Sequence, residues 1–243
     1  MVLADIDQGA LDAARSGLPG ADTIAVRTDV ARPEEVEALA REAIDAFGAV
    51  HVLCNNAGVS VGGPVWEASE RDWDWVLGVN LRGLITGLRV FMPVILEQDW
   101  GHVVNTASSA GLIAAVLGPY SVSKHAAVAL SESLHLSLTL QGANVGVSVL
   151  CPGWVRTRIV ESDRNRPAEY GVGAEPRPEQ EAMREVIQSL VEGGMEPSEV
   201  ADHVVRAIHD RRFYVLTHET TWGAIESRFE AIRTGDPPGF PTI

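Results

Sequence analysis

The stretch that decides the fold is Val50-His51-Val52-Leu53-Cys54, an apolar run that leads into a turn-rich loop over residues 55–64. A short apolar run bounded by turn residues is typical of a buried strand. Apolar runs alternate with helical patterns along almost the whole chain. Such alternation predicts a parallel sheet with helices packed on its faces. We therefore expect an α/β fold of three layers built on a doubly wound, mostly parallel sheet.

Working outward from this strand, the periodicity predicts the other elements. Further strands are predicted over residues 2–4, 23–26, 102–106, 145–150 and 213–217. Helices are predicted over residues 8–15, 33–47, 70–97, 120–140, 179–191, 198–209 and 220–233. Pro93 is expected to bend the third of these helices near its end. Because 243 residues suit one α/β unit, we expect a single domain over residues 1–243.

Composition excludes several classes of protein. Hydrophobic residues at 46% and charged residues at 21% are typical of a globular chain. The formal net charge of −14 argues against nucleic acid or an anionic membrane surface as a partner, since both attract basic proteins. We expect no membrane span, no secretory leader and a cytoplasmic location. Cys54 and Cys151 each end an apolar run, so we expect two small core residues, with no disulfide and no metal site.

One residue type occurs only once. Among the 19 lysines and arginines, Lys124 is the only lysine. Tyr120 stands four residues before it, so a helix would project both side chains from one face. Lysine is a compact charge that can lie under a phenol or a ribose, which a planar guanidinium cannot do. A surface lysine packed over a tyrosine ring is the alternative interpretation.

Five stretches, in this order, resemble motifs of the short-chain dehydrogenase/reductase family. They are Asn55-Asn56-Ala57-Gly58, Val79-Asn80, Asn105-Thr106-Ala107-Ser108, Tyr120 with Lys124, and Pro152-Gly153-Trp154-Val155-Arg156-Thr157. The resemblance runs over nearly the whole chain. It implies a Rossmann-like fold and an oxidoreductase that interconverts a secondary alcohol and a ketone by hydride transfer with a nicotinamide cofactor. It also implies a homodimer or homotetramer in which two long helices pair across subunits.

The resemblance implies four catalytic residues, Asn80, Ser108, Tyr120 and Lys124. Hydride transfer at a carbon that bears oxygen needs a group that moves a proton at that oxygen, and we expect Tyr120 to be this acid/base. A free tyrosine titrates at about pH 10, which is too high for a base at neutral pH. We expect the ammonium and an oxidised nicotinamide to lower the pKa of Tyr120. Ser108 would hold the substrate oxygen, with Ser109 as its rival, and Asn80 would hold a water in a proton relay. A serine that caps a loop and an asparagine on a helix surface are the alternatives.

Asp5 indicates which cofactor the protein uses. It ends a strand where an acidic residue accepts hydrogen bonds from the adenine ribose and repels a 2′-phosphate, which favours NAD over NADP. A helix cap before Gln8 is the alternative role. By the resemblance, Asp29 and Val30 touch adenine, and Thr157 binds the carboxamide. The remaining contacts implied by the resemblance are Asn56, Ala57, Gly58, Tyr120, Lys124, Pro152, Gly153 and Val155.

The chain departs from the family pattern at its beginning. It starts at the place of the family's second strand, without the first strand and the Gly-x-x-x-Gly-x-Gly turn that supports the pyrophosphate. We expect a shortened chain or a start codon placed too far downstream, and unpaired strand edges in the middle of the sheet. A cofactor-deficient subunit of this fold is one alternative function. A non-redox epimerase or eliminase with the same Tyr/Lys pair is another.

Two regions bear on the substrate. Residues 161–196 are polar and rich in proline and glycine, and we expect them to form a mobile lid, because loops on a rigid α/β scaffold commonly gate sites. Apolar side chains suggest a pocket for a hydrophobic ketone or alcohol, with ordinary core packing as the equal alternative. They are Leu112, Ile113, Val116, Leu117 and Trp154.

Overall fold

The computed structural model describes residues 1–171 and 178–240. Its strands are β1 (Val2–Asp5), β2 (Ile24–Arg27), β3 (Val52–Asn55), β4 (Gly101–Thr106), β5 (Val145–Cys151) and β6 (Tyr214–Leu216). Its helices are α1 (Gln8–Ser16), α2 (Pro33–Phe47), α3 (Glu70–Leu77), α4 (Leu84–Leu96), α5 (Gly118–Gln141), α6 (Pro178–Glu192), α7 (Pro197–Asp210) and α8 (Thr221–Thr234). The predicted α/β alternation is confirmed.

The strands are parallel and form two sheets. One sheet has the order β3-β4-β5-β6, and the other pairs β1 with β2. The longest pairing joins β4 to β5, from Gly101 opposite Val145 to Thr106 opposite Leu150. Within the described part of the chain, β1 and β3 each have a strand partner on one edge only. This division agrees with the unpaired edges expected from a missing first strand.

The four-stranded sheet lies between two helical layers. Val103 of β4 packs into the main core with Leu88 and Phe91 of α4 and Ala127 of α5. The next residue, Val104, points to the opposite face and packs with residues of α7. Successive side chains of a strand point to opposite faces, so β4 binds the helical layers on both sides of the sheet. The prediction of three layers is confirmed.

The long helix predicted over residues 70–97 is interrupted in its middle. Between α3 and α4 lies a wide helical turn, Gly78–Gly83, in the π conformation. Pro93 lies inside α4, which continues to Leu96. A π turn inserts an extra residue into the helix and is frequent at functional sites. This turn carries Asn80 into the interior of the protein.

The helical stretch Glu70–Leu96 differs from the expectation that no segment is long and apolar enough to span a membrane. By length and composition alone it could cross a membrane, with a hydropathy of 1.4 in its most apolar window, whereas we expected no such stretch. Half of that window is buried inside the protein, as in the core helix of a soluble fold. The segment therefore gives only weak support for a membrane span.

One of the two cysteines also differs from its expected burial. Both are free thiols, and Cys151 of β5 is buried as expected. Cys54 of β3 is exposed, so its assignment to the core is wrong. Val52 is exposed as well, two residues earlier in the same strand. Residues two apart in a strand share a face, and the described residues leave this face of β3 uncovered.

Candidate active site

Three predicted catalytic side chains meet at the start of α5. The Lys124 ammonium nitrogen lies 5.6 Å from the centroid of the Tyr120 ring. Lys124 is only 3% exposed and donates a 2.9 Å hydrogen bond to the Thr106 carbonyl at the end of β4, which excludes a surface lysine. Ser108 follows that strand. Its hydroxyl accepts the Ala110 amide at 3.2 Å, which is the loop-capping role of the alternative, and it also lies close enough to the Tyr120 phenol to lower the pKa of that phenol. The structure thus brings Ser108, Tyr120 and Lys124 into one buried cluster.

Burial controls the proton affinities of this cluster. It raises the pKa of the Tyr120 phenol above the ordinary value of 10.0, and the nearby Ser108 hydroxyl opposes this shift. The expected lowering of the Tyr120 pKa is therefore wrong for the protein alone. Burial lowers the pKa of Lys124 from 10.5 to about 8, and Cys151 nearby opposes that shift. A Lys124 pKa this close to neutrality still leaves the ammonium charged at neutral pH.

Asn80 anchors the loop that follows β3. Its Oδ1 accepts the Val59 amide at 2.8 Å, and its Nδ2 donates to the Val59 carbonyl at 2.9 Å and to Ser123 Oγ at 3.0 Å. Asn80 is 2% exposed, which excludes the alternative of a helix-surface asparagine. A side chain on the adjacent Gly58 would place its Cβ 3.4 Å from the Lys124 ammonium and 3.6 Å from Asn80 Oδ1. The π turn therefore holds the Asn55–Gly58 motif close to Lys124.

A ladder of polar side chains lies under the site, and its helical member was missed in the sequence. Asn55 donates to Asn105 at 3.0 Å, Asn105 donates to Ser131 at 3.0 Å, and Ser131 donates to the Ala127 carbonyl at 2.7 Å. These bonds join β3, β4 and α5. Ser131 stands seven residues after Lys124, two turns along the same helix face, which is the signal that could have identified it.

Asp5 occupies the predicted place at the carboxyl end of β1. It is exposed, and its Oδ1 accepts the Asp7 amide at 2.9 Å. Asp7 is the residue that caps α1, through a 3.1 Å hydrogen bond from the Ala10 amide. The alternative of Asp5 as the helix cap is therefore wrong. Its exposed carboxylate fits a role as acceptor for ribose hydroxyls.

Asp29 and Val30 are held firmly at the end of β2. The buried Asp29 carboxylate accepts the Ala31 amide at 3.0 Å and lies 3.5 Å from the Arg32 guanidinium. Val30 packs so closely on Gly83 that a Cβ there would lie 2.8 Å from Val30 Cγ2. The Asp29 carboxylate thus shapes the turn that follows β2. Any contact of this pair with adenine would be made by the surface that the pair leaves exposed.

The other predicted cofactor residues line the carboxyl ends of β3 and β5. Asn56 and Ala57 are exposed, and Asn56 Oδ1 accepts the Thr106 hydroxyl at 3.0 Å. The Pro152 carbonyl accepts the Ser109 amide at 2.8 Å. Further along this loop, Gly153 donates to a histidine, Val155 forms a backbone bridge with Met195, and Thr157 is exposed. Ligands of open α/β sheets bind at this edge.

These residues fit part of a dinucleotide. The Asp5 carboxylate fits the adenine ribose, and the cluster around Lys124 together with residues 152–157 fits the nicotinamide half. The pyrophosphate is different. A phosphate needs close backbone amides at a helix amino terminus, which the family supplies with a glycine-rich turn after its first strand, whereas β1 stands at the place of the second. Among the described residues, the pattern Gly-x-x-x-Gly-x-Gly does not occur.

The predicted lid is partly anchored. The Ser60 amide donates to Ser162 Oγ at 3.0 Å, which joins the lid to the loop after β3. The Arg166 side chain is 5% exposed, lies 2.7 Å from the Asp72 carboxylate and stacks 4.8 Å from the Trp75 ring centroid. Residues 172–177 of the expected lid lie outside the described residues. The mobility of the lid stays a prediction.

The predicted apolar pocket is only partly a pocket. Ile113 is buried with Ala224 and Ile225 of α8, and Leu112 packs against the same cluster. Core packing is the better account of these two side chains. Val116 is 61% exposed, and Leu117 and Trp154 are half-buried. Val116, Leu117 and Trp154 are thus the members of the predicted pocket that keep exposed surface, and Ile113 also lines a cavity of about 490 Å³.

Known proteins are similar to this chain in sequence and in fold. The model of the short chain dehydrogenase family matches residues 1–168. A CLA biosynthesis dehydrogenase/reductase of Lactiplantibacillus plantarum is 31% identical over 98% of this chain and 86% of the relative. A C alpha-dehydrogenase of a Sphingobium species is 32% identical over 96% of this chain and 76% of the relative.

A solved structure is closer still. The crystal structure of a short-chain dehydrogenase/reductase from Burkholderia phymatum in complex with NAD matches with a TM-score of 0.94 and 44% identity. The match covers 100% of this chain and 88% of that one. The Rossmann-like fold and these dehydrogenase and reductase relatives show that the protein is an oxidoreductase. The chain belongs to the short-chain dehydrogenase/reductase family, whose members named here are dehydrogenases and reductases.

Proposed function

We propose that the protein interconverts a secondary alcohol and a ketone by hydride transfer with NAD. The observation that carries this proposal is the cluster in which the buried Ser108 and Lys124 lie beside the Tyr120 phenol, with the Lys124 ammonium 5.6 Å from the centroid of the Tyr120 ring. A phenol that can exchange a proton at a substrate oxygen, next to a hydroxyl that can hold that oxygen, is what such a reaction needs. We also propose that Asn80 holds a relay water through its remaining acceptor capacity.

Because burial raises the pKa of Tyr120, the phenol is neutral at neutral pH, which is the protonation state that ketone reduction requires. A neutral phenol can donate its proton to the carbonyl oxygen, with Ser108 orienting that oxygen. A bound nicotinamide supplies or accepts the hydride. In the direction of alcohol oxidation, the Tyr120 phenolate must take the hydroxyl proton, and the Lys124 charge stabilises this phenolate.

We infer a preference for NAD over NADP from Asp5. Its exposed carboxylate at the end of β1 would accept hydrogen bonds from ribose hydroxyls and repel a 2′-phosphate. The similar Burkholderia phymatum enzyme was solved in complex with NAD, which supports the same preference here. We also propose a homo-oligomer, supported by Leu136 and Leu140 of α5, which are 62% and 90% exposed.

Replacement of Tyr120 tests the proposed function. The Tyr120→Phe variant keeps the ring and removes the proton, so we expect the rate with a panel of ketones and NADH to fall about a hundredfold to ten-thousandfold. Tyr214→Phe is the matched control, because Tyr214 is exposed and hydrogen-bonds Glu132 instead. Near-normal turnover in Tyr120→Phe would refute the assignment of the acid/base.

A second candidate function is a dinucleotide-fold subunit that binds cofactor poorly. It is favoured by the unpaired strand edges of β1 and β3 and by the lack of a Gly-x-x-x-Gly-x-Gly turn among the described residues. Titration of NADH fluorescence distinguishes the two candidates. Saturable NADH binding favours the oxidoreductase, whereas a folded protein without NADH binding favours the subunit.

A further inference from the structure

His218 lies directly behind the loop that leaves β5. It follows β6 by two residues, and its Nδ1 accepts the Gly153 amide at 3.2 Å. The buried Thr217 hydroxyl lies 2.7 Å from the same nitrogen. The contact joins residues that are 65 positions apart in the chain.

The Gly153 contact fixes which nitrogen of His218 carries a proton. A backbone amide can only donate, so Nδ1 must be the unprotonated, accepting nitrogen. The Thr217 hydroxyl then also donates to Nδ1. The neutral ring therefore carries its proton on Nε2.

The imidazole also fills the space beside Gly153. A Cβ added at Gly153 would lie 2.8 Å from Cγ and 2.9 Å from Nδ1 of His218. These distances are too short for real contacts, so the ring lies where a side chain of residue 153 would stand. The glycine and the histidine are a matched pair, which explains why the position tolerates no larger residue without movement.

The loop that His218 contacts at Gly153 also hydrogen-bonds the segment that carries Ser108. The carbonyl of the preceding Pro152 accepts the Ser109 amide at 2.8 Å. Ser109 is bonded in sequence to Ser108, whose hydroxyl lies close enough to the Tyr120 phenol to lower the pKa of that phenol. His218 thus supports one loop that faces both the proposed nicotinamide position and the residue that orients the substrate oxygen.

We propose that His218 is a positioning residue for the reaction, acting through the backbone of Pro152 and Gly153. Its accepting Nδ1 holds the Gly153 amide, and this hold sets the loop against the nicotinamide and against Ser109. The inference rests on the proposed function for its link to catalysis. The hold on Gly153 itself does not depend on that function.

Two substitutions separate the hydrogen bond from the packing. In His218→Asn, Oδ1 stands where Nδ1 stood, so the acceptor is kept and the ring is lost. In His218→Phe, the ring is kept and the acceptor is lost. A hydrogen bond of ordinary strength corresponds to about a tenfold effect. We therefore expect kcat/KM for NAD to fall about tenfold in His218→Phe and to stay within about threefold of the wild type in His218→Asn.

A purely structural histidine would give the reverse order. If His218 only fills space, His218→Phe stays active and His218→Asn loses both thermal stability and activity. That result would overturn the proposal. Equal activity of both variants and the wild type would overturn it as well.

The Gly153 amide gives a readout that does not need turnover. In two-dimensional NMR, we expect its hydrogen exchange to be about tenfold faster in His218→Phe than in His218→Asn. Equal exchange in both variants would contradict the hold on Gly153. If exchange follows this order while the wild type fails to reduce ketones, the proposed function fails and the hold of His218 on Gly153 stands.

Discussion

Lys124 keeps its charge in a place that disfavours charge. Its pKa falls from 10.5 to about 8 on burial, a shift worth about 3 kcal/mol. Between these two values the unfolded chain binds more protons than the folded protein, so stability rises with pH. The Lys124→Met variant lacks this dependence. Between about pH 7 and pH 10, we expect the free energy of unfolding of the wild type to rise by about 3 kcal/mol relative to that of the variant, measured by urea denaturation.

The control for this experiment is an exposed basic residue. Arg206→Met removes a charge from the surface of α7, so its difference from the wild type should stay constant over the same pH range. The lost hydrogen bond to Thr106 is a constant offset in Lys124→Met and does not affect the slope. Parallel pH curves for Lys124→Met and the wild type would contradict the lowered pKa.

At the scale of single residues, the sequence located the cluster better than it described its chemistry. The four-residue spacing of Tyr120 and Lys124 predicted a shared face, and the structure has it. The direction of the Tyr120 pKa shift depends on burial by distant segments, which local spacing does not contain. His218 was missed for the same reason, because its partner Gly153 is 65 positions away.

The pairing of β4 with β5 contains a buried histidine. His102 is 1% exposed, and Nε2 lies 2.9 Å from Ser148 Oγ, whose hydroxyl donates to the Arg212 carbonyl at 2.6 Å. Nε2 is therefore the donor to Ser148, since that hydroxyl has no second proton. Burial, and secondarily Arg211, lowers the pKa of His102 from 6.5 to about 4.

This pKa predicts acid sensitivity of the sheet. The unfolded histidine binds its proton below pH 6.5 and the folded one only below about 4, so stability falls as pH falls through this window, by about 3 kcal/mol. In His102→Gln the amide can still donate to Ser148, and the acid-dependent loss should be absent. Thermal unfolding at about pH 7 and pH 4.5 measures it. The exposed His209→Gln is the control, and an unchanged acid slope in His102→Gln would disprove the prediction.

Hydrophobic periodicity was enough to predict the strands and helices within about two residues of their observed ends. It did not predict the wide turn at Gly78–Gly83. That turn depends on the contacts of Asn80 with Val59 and Ser123, which belong to other elements. Pro93 gave a visible local signal for a bend, but the interruption of the helix lies ten residues or more before it.

At the scale of the whole molecule, the two sheets should differ in stability. The β1–β2 sheet has two strands of four residues, and an isolated two-stranded sheet is marginally stable. The β4–β5 pairing is longer and buried on both faces. We expect the amides of β1 and β2 to exchange with deuterium at least about tenfold faster than those of β4 and β5, measured by mass spectrometry of peptides.

The amides of β4 and β5 serve as the internal reference in this experiment. Equal exchange in both sheets, at the rate of global unfolding, would show that the molecule opens as one unit and would contradict the prediction. Faster exchange confined to β1, α1 and β2 would identify them as a separate unit of local unfolding.

At the scale of the whole chain, the separation of the strands into two sheets was the feature that the sequence predicted best. Counting the family's strands predicted a missing partner in the middle of the sheet, and the described residues have unpaired edges at β1 and β3. The buried pair of Arg166 and Asp72 could not be predicted, because the polar stretch around Arg166 has the composition of a solvated loop. Burial there comes from α3, which is nearly a hundred residues earlier.

The exposure of Cys54 also makes β3 accessible to thiol chemistry. Cys151 is completely buried, so of the two thiols only Cys54 is open to a reagent applied to the native protein, and its reaction is slowed because desolvation raises the pKa of the Cys54 thiol. A fluorophore or spin label attached there would report on the uncovered face of β3 without any engineered cysteine. The protein thus carries a built-in attachment point at the place where its sheet is divided.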